Sequence, residues 1–267
     1  MGIDDLVVGT VCGGSDGTSG ITGNPAAGRA FDKLVAQGAT CIFEETGELI
    51  GCEHIMASRA ATPILAEALV ETVQKAERYY DRMGYGSFSQ GNAEGGLSTI
   101  EEKSLGAYAK SGSSKIDGIV KPCIQPPTGG LYLLDVVPDG DPVFGFPNIN
   151  DNAEIAELIS CGAHAVIFVT GRGSVVGSAI SPVLKVCANP DTFDKMAEDM
   201  DVNAGRILSE NDTLESVGQE IFNKLVGLGQ GQRTASEKLG HREFVLTYKT
   251  FEPLGPKCLP APAGAAA

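Results

Sequence analysis

Glu48, Glu53 and His54 form the densest group of carboxylate and imidazole side chains in the chain. One histidine and two carboxylates can hold Fe2+, Mn2+ or Mg2+. They can equally act as a base with its orienting partners, or simply open a helix, where an acid suits the positive end. Their spacing matches no strict metal motif. A second group lies in the stretch VVGTVCGGSDGTSGITGNPAAG, residues 7–28. Leu6, Val7 and Val8 read as a buried strand, and Cys12, Gly13, Gly14, Ser15 and Asp16 begin a loop dense in glycine. Asn24 and Pro25 are expected as N-cap and first helical residue. A strand, a glycine loop and a helix start together turn backbone N–H groups and a positive helix end toward an anion. Cys12, Ser15 and Asp16 add chemistry that a phosphate cradle does not need. The plainer alternative is a turn whose glycines only permit positive φ, but the loop is long for a mere connection.

Two further cations stand at glycines or strand ends. Lys103, in EEKSLG, can bind a carboxylate or act as a base if its pKa falls, or can be an ordinary lysine on a helix face. Arg172 lies between Gly171 and Gly173, directly after an apolar run, where a guanidinium can grip a carboxylate or sulfonate through two parallel hydrogen bonds. Lys185 and Asn189 flank the next turn and can complete an anion pocket. The glycines at 171, 173 and 177 lack the GxGxxG spacing of a dinucleotide fingerprint, and no acidic residue follows at the right distance. His164, at a strand start, reads as structural and His241 as a surface residue.

The elements that must position these groups alternate. Helices are expected over 25–37, 51–83 with a break at Pro63, 100–110, 151–161 and from a capping box at Asp212 and Glu215 to Leu228. Strands are expected over 39–43, 116–120, 131–137, 164–169, 183–188 and 243–248, and a loop over 84–99. Alternation of this kind predicts an α/β fold, a mostly parallel sheet covered by helices. In such sheets ligands sit at the carboxyl ends of the strands. The loops CGGSD, EETGE and TGRG all follow strands, so they are expected to meet at one edge. The proline-rich segment 121–130 is the candidate internal boundary.

Composition narrows the partners. With 267 residues and 42% hydrophobic content, the chain can bury a sizeable core without tryptophan. The formal charge of −14, from 34 acidic and 20 basic residues, disfavours nucleic acid. Seven cysteines without a C-x-x-C pair indicate neither a zinc ribbon nor a disulfide framework, and point to a reducing cytoplasm. No signal peptide is evident and no apolar run is long enough to span a membrane.

Five segments taken together resemble the altronate/galactarate dehydratase (UxaA) family: CGGSDGTSGITGNPAAG, EETGELIGCEHIMASRA, GNAEGGLSTIEEKSLGAYAKSG, FVTGRGSVVGSAISPVLKVCAN and DVNAGRIL. The resemblance runs from Val8 to about Tyr248. Within the family, GLYLLDVVPDGDPVFGFPNINDNAEI and TYKTFEPLGPKCLP are similar to the large (beta) subunits of (2R)-sulfolactate sulfo-lyases. The resemblance implies a Rossmann-like catalytic domain over 1–260, with a disordered tail at 261–267. It implies a lyase that uses a divalent metal, Fe2+ before Mg2+ or Mn2+, to eliminate a group from a 2-hydroxy acid and leave a 2-oxo acid. Conversion of (2R)-sulfolactate to pyruvate and sulfite is the first expectation and dehydration of altronate or galactarate the alternative. A non-catalytic scaffold that holds an anion is the reading from another class. On this basis Glu48, Glu53, His54 and Lys103 are the catalytic candidates, with Glu48, Glu53 and His54 also the metal ligands. Cys12, Gly13, Gly14, Ser15, Asp16, Gly171, Arg172, Gly173 and Lys185 would bind substrate. A small SAF-like subunit or N-terminal domain, and a homo-oligomer, are the implied partners. Only 11 residues precede Cys12, whereas family large chains carry a further N-terminal region, so the chain reads as a fragment.

Overall fold

The computed structural model describes residues 2–82, 88, 90–137, 139 and 150–245. Among these residues seven strands form one sheet: β1 (Val7–Cys12), β2 (Thr40–Phe43), β3 (Ile116–Val120), β4 (Gly130–Leu134), β5 (Ala165–Thr170), β6 (Val183–Cys187) and β7 (Val202–Asn203). Their order is β3-β4-β2-β1-β5-β6-β7, and every neighbouring pair is parallel. Among the described residues ten α-helices accompany them: α1 (Gly23–Ala36), α2 (Glu53–Ser58), α3 (Pro63–Arg82), α4 (Gln90–Glu94), α5 (Ile100–Tyr108), α6 (Asp151–Ser160), α7 (Pro190–Lys195), α8 (Arg206–Ser209), α9 (Leu214–Gly229) and α10 (Ala235–Leu239).

Both faces of the sheet are covered, as a parallel sheet of apolar strands requires. Phe31 and Leu34 of α1 and Val217, Ile221 and Leu225 of α9 share one core with Val8 and Ile167. Ile155 and Leu158 of α6 pack on the other face against Val11, Ile42 and Phe168. This is the expected α/β, Rossmann-like architecture. The chain runs from β1 to β2, crosses to the edge strand β3, comes back to β4 between β3 and β2, and then places β5 on the free side of β1. The strand order therefore reverses between β1 and β5, and the carboxyl ends of these two strands frame the crevice that such folds use for ligands.

Register carries the loops to one edge. Thr10 pairs with Phe43, so Cys12, ending β1, and Glu45, just past the end of β2, each stand two residues beyond that pair. Cys12 pairs with Val169, which sets Gly171 and Arg172 just past it on the other side. The three loops meet as expected: Gly13 N donates to Val169 O at 3.0 Å, and Gly171 N and Arg172 N donate to Gly14 O at 3.2 and 2.8 Å.

Several element boundaries differ from the sequence pattern. Asn24 does not cap α1; Thr22 occupies that position and Asn24 lies inside the first turn. The helix expected over 51–83 is two helices, with Pro63 the first residue of α3, where its missing N–H costs nothing. Residue 83 lies outside the described residues. Asp212 does not form a capping box; Thr213 caps α9, its Oγ1 accepting from Ser216 N at 3.1 Å. The fourth strand ends at Leu134; Asp135 N still donates to Val120 O at 2.8 Å, while its carboxylate accepts from Lys75 and Lys121. Part of the loop expected at 84–99 is helix α4. Residues 243–245 are not strand, and the rest of the strand expected there, with the tail at 261–267, lies outside the described residues. The segment 121–129 joins two neighbouring strands of the same sheet, β3 and β4. His164 is structural, its Nδ1 accepting from Val7 N at 3.0 Å, while His241 is half-buried and not on the open surface.

Candidate functional site

Cys12, the last residue of β1, is 4% exposed and lies at the centre of a charged cluster. Its Sγ is 3.4 Å from Glu45 Oε2, 3.7 Å from Glu48 Oε2 and 3.6 Å from Ser15 Oγ. Two buried ammonium groups donate to the same sulfur, Lys103 Nζ at 3.2 Å and Lys110 Nζ at 3.3 Å. Each lysine also forms an ion pair, Lys103 with Glu48 and Lys110 with Glu45. Burial alone would lower the Lys103 pKa, but the charges of Cys12 and Glu48 outweigh it and hold the ammonium well above its usual value.

Local structure explains this convergence. Glu45 has φ 79°, in the left-handed region that a residue with a Cβ seldom enters. The kink turns the chain into a short 3-10 segment, Thr46–Glu48, that returns Glu48 to the sulfur. Thr99 caps α5 through Glu102 N at 3.2 Å, and Lys103 follows on the next residue. Lys110 is carried by the 3-10 segment Ala109–Ser111. That segment lies so close to α1 that any side chain at Gly28 would strike Ala109 O. Arg59 braces it, donating to Tyr108 Oη at 2.6 Å and Ser111 Oγ at 3.0 Å. Asp32 of α1 holds the chain beyond: burial raises its pKa, but hydrogen bonds from Ser113 and Ser114 bring it below the ordinary carboxylate value.

The far wall belongs to α6. The Asp151 carboxylate lies over Gly13, where a side chain would collide with it. Burial, and then the charge of Glu48, push the Asp151 carboxyl up, with Lys103 opposing. Tyr80 is likewise pushed up, first by burial and then by Glu154 and Glu48.

Asp16 organises the loops. Its Oδ1 accepts from Thr18 N at 2.9 Å and Thr18 Oγ1 at 2.6 Å, and its Oδ2 from Asn189 Nδ2 at 2.9 Å. Gly171 packs directly on the same carboxylate, and Gly173 N donates to Thr170 Oγ1 at 3.0 Å. The loops after β1, β5 and β6 are thereby tied together.

Of the residues expected at the site, Cys12, Ser15, Glu48 and Lys103 come together, with Gly13, Gly14, Asp16, Gly171 and Gly173 forming the adjoining loops. Arg172 lies on the surface and reaches α4, donating to Gly91 O at 2.7 Å and Glu94 Oε2 at 3.2 Å. Lys185 is fully buried on β6; its Nζ donates to Ser174 O at 3.3 Å and lies 4.0 Å from Asp199. Burial lowers its pKa. Glu53 and His54 begin α2, Glu53 half-buried and His54 exposed.

Among the described residues, the group whose ligating atoms lie within 4.8 Å of one another is Cys12, Glu45 and Glu48. It shares only Glu48 with the set expected from sequence. A thiolate with two carboxylate oxygens suits a borderline ion such as Fe2+ better than Mg2+, which prefers oxygen alone. The donor set therefore fits a divalent metal, which would compete with the two ammonium groups for the same atoms. Reading by pattern alone passed over Glu45, Lys110 and Asp151. Glu45 was in the EETGE loop, and Lys110 follows Lys103 by seven residues, two helical turns and hence one face. Asp151 left no local signal.

A doubly wound α/β protein with acids, a thiol and buried lysines at the strand-order reversal is the class that fold and site define. Residues 3–251 match the family described as D-galactarate/Altronate dehydratase, C-terminal, and the chain belongs to that family. It is 38% identical over 255 residues to the (2R)-sulfolactate sulfo-lyase subunit beta of Chromohalobacter salexigens, covering 92% of this chain and 62% of that one. It is 34% identical to the altronate dehydratase of Bacillus subtilis, covering 91% of this chain and 47% of that one. The galactarate dehydratase (L-threo-forming) of Escherichia coli is also 34% identical, with 88% and 44% covered. The chain thus spans between 44% and 62% of the length of these relatives. No described helix is long and apolar enough to cross a membrane.

Proposed function

We propose that this chain carries the catalytic centre of a metal-dependent lyase that dehydrates a sugar acid of the altronate or galactarate kind. The observation that carries the reading is the cluster of Cys12, Glu45 and Glu48 with two buried lysines at the strand-order reversal of a chain in this family. In the reaction the C2–H and C3–OH bonds break, water leaves, and the enol tautomerises to a 2-oxo acid. A divalent ion, Fe2+ in our reading, would be held by Cys12, Glu45 and Glu48, and when bound would act as a Lewis acid toward the substrate oxygens. Lys103, whose ammonium keeps its proton, suits the binding of the substrate carboxylate as a fixed positive charge. Asp151, whose carboxyl is raised by burial, suits removal of the C2 proton. Arg172 and Lys185 support the surrounding loops in this scheme, and Glu53 and His54 stand outside it.

The second reading is elimination of sulfite from (2R)-sulfolactate, favoured by the 38% identity to a sulfo-lyase beta subunit. That relative's name, a subunit, also supports a partner chain. The test is release of 2-oxo acid or sulfite from altronate, galactarate and (2R)-sulfolactate. It is run after chelation and again with Fe2+, Mn2+ or Mg2+, with and without a small subunit. Metal-restored 2-oxo acid from a sugar acid supports the first reading, and sulfite release supports the second. No turnover under any of these conditions favours a non-catalytic scaffold.

A further inference from the structure

The connection from β3 to β4 holds a cysteine where the backbone favours glycine. Ile124 N donates to Lys121 O at 3.0 Å and closes a turn with Pro122 and Cys123 at its central positions. Cys123 has φ 68°, in the left-handed region. Proline followed by a positive φ is the pattern of a type II turn, whose second central residue is ordinarily Gly or Asn. A side chain is strained there, and the strain is kept at a thiol exposed to solvent. The turn rests on the C-terminal end of α6. Cys123 N donates to Ser160 Oγ at 2.9 Å, and the buried Cys161 Sγ donates to Lys121 O at 3.4 Å. The approach is so close that a Cβ at Gly162 would lie 3.0 Å from Gln125 Nε2. Burial pushes the Cys161 thiol up, opposed by the Ser160 hydroxyl and by the backbone N–H groups of Ile124 and Cys123. Two thiols therefore flank a single contact. Cys161 lies beneath the turn, while Cys123 lines a cavity of about 530 Å3 through which a small molecule can reach it.

We infer that Cys123 and Cys161 form a redox modification site, at which a hydroperoxide drives a reversible disulfide between the β3–β4 turn and helix α6. First the Cys123 sulfur attacks a peroxide oxygen: an S–O bond forms, the O–O bond breaks, and the thiol proton leaves with the departing hydroxide as water, giving a sulfenic acid. The Cys161 sulfur then attacks the Cys123 sulfur: the S–S bond forms, the S–O bond breaks, and the hydroxyl leaves as water with the Cys161 proton. Two electrons pass from the sulfurs to the peroxide, and a dithiol restores them. Cys123 is the first target because it is exposed, and Cys161, buried, is the resolving partner. Closure requires reorientation of the exposed Cys123 side chain. The inference does not depend on the proposed lyase reaction.

The test treats the full chain with hydrogen peroxide, alkylates the remaining thiols after denaturation, and maps the peptides by mass spectrometry with and without dithiothreitol. The expected product joins the peptides of Cys123 and Cys161, is lighter than the reduced pair by two hydrogen atoms, and is lost on reduction. Before oxidation, Cys123 should be alkylated in the folded chain at least about tenfold faster than Cys161. Cys123→Gly suits the positive φ and keeps the turn; it should abolish the cross-link and leave Cys161 reduced. Cys161→Ala should instead stop Cys123 at the sulfenic acid, captured by dimedone; if that variant does not fold, Cys123→Gly carries the test. Linkage of Cys123 to another cysteine, oxidation of Cys123 to a sulfinic acid without a cross-link in the wild type, or both thiols still reduced at peroxide doses that oxidise Cys12 overturns the inference.

Discussion

Two clusters of lysines and carboxylates lie at the carboxyl edge of the sheet, and they differ in water and in sulfur. At the end of β4, Lys75 and Lys121 both reach Asp135, at 2.5 and 2.8 Å, and both reach Asp139, at 2.8 and 2.9 Å. Asp135 is buried, but Asp139 is 78% exposed, so solvent screens much of this network. At the end of β1, Lys103 and Lys110 are buried and each faces a carboxylate, with the Cys12 sulfur between them. The first arrangement shares every charge among hard partners and ties two strand ends together. The second holds comparable charge largely away from solvent, with Glu48 19% exposed, and adds a soft ligand, which gives a metal reason to displace the ammonium groups.

The largest test of that contrast is stability. Glu45→Gln leaves Lys110 buried without its carboxylate and should cost about 3–5 kcal/mol in urea unfolding. Asp135→Asn, whose lysines reach water, should cost about 1.5–3 kcal/mol. Equal losses would erase the distinction. Next comes metal affinity. Cys12→Ser should weaken Fe2+ binding by roughly 10- to 100-fold and narrow the preference over Mg2+, while Asp135→Asn leaves both unchanged, as read by metal titration.

Acid stability offers a smaller effect. Hydrogen bonds from Lys75 and Lys121 hold the Asp139 carboxyl down to about 2. A depressed carboxylate stabilises the fold above its unfolded value, near 4, and loses that contribution as pH falls toward its folded value. Because Asp139 is exposed, the wild type should lose less than about 1 kcal/mol more than Asp139→Asn between pH 4 and 2. The smallest effect is expected at Arg172. Arg172→Ala breaks one exposed ion pair and should cost under about 1 kcal/mol, with little change in affinity for a 2-hydroxy acid. A tenfold or greater loss of that affinity would move the anion clamp from Lys103 back to Arg172.

Much of the architecture was legible along the chain because it is written in local periodicity. The apolar run of β5, the glycine loop after Cys12 and the break at Pro63 each follow from neighbours within a few residues. Caps were less legible. Asn24 and Asp212 are good cap residues by type, yet Thr22 and Thr213 lie at the helix starts. Side-chain type permits a cap, but the path of the entering chain selects it. At the site, Cys12, Glu48 and Lys103 announced themselves by chemistry. Glu53 and His54 did so equally, although they begin α2 and are not among the groups that gather at Cys12.

What the order of residues determined by itself was a parallel α/β sheet, polar loops at its carboxyl edge and the family to which the chain belongs, since these depend on short-range pattern and on shared motifs. Which acids and lysines gather around Cys12 was decided only by the tertiary structure. Glu45 reaches the sulfur through strand register and a left-handed kink, Lys110 through the close approach of its turn to α1, and Asp151 because β5 returns to the side of β1. Contacts between residues so far apart in the chain have no periodic signature, and arise when the sheet and its helices pack.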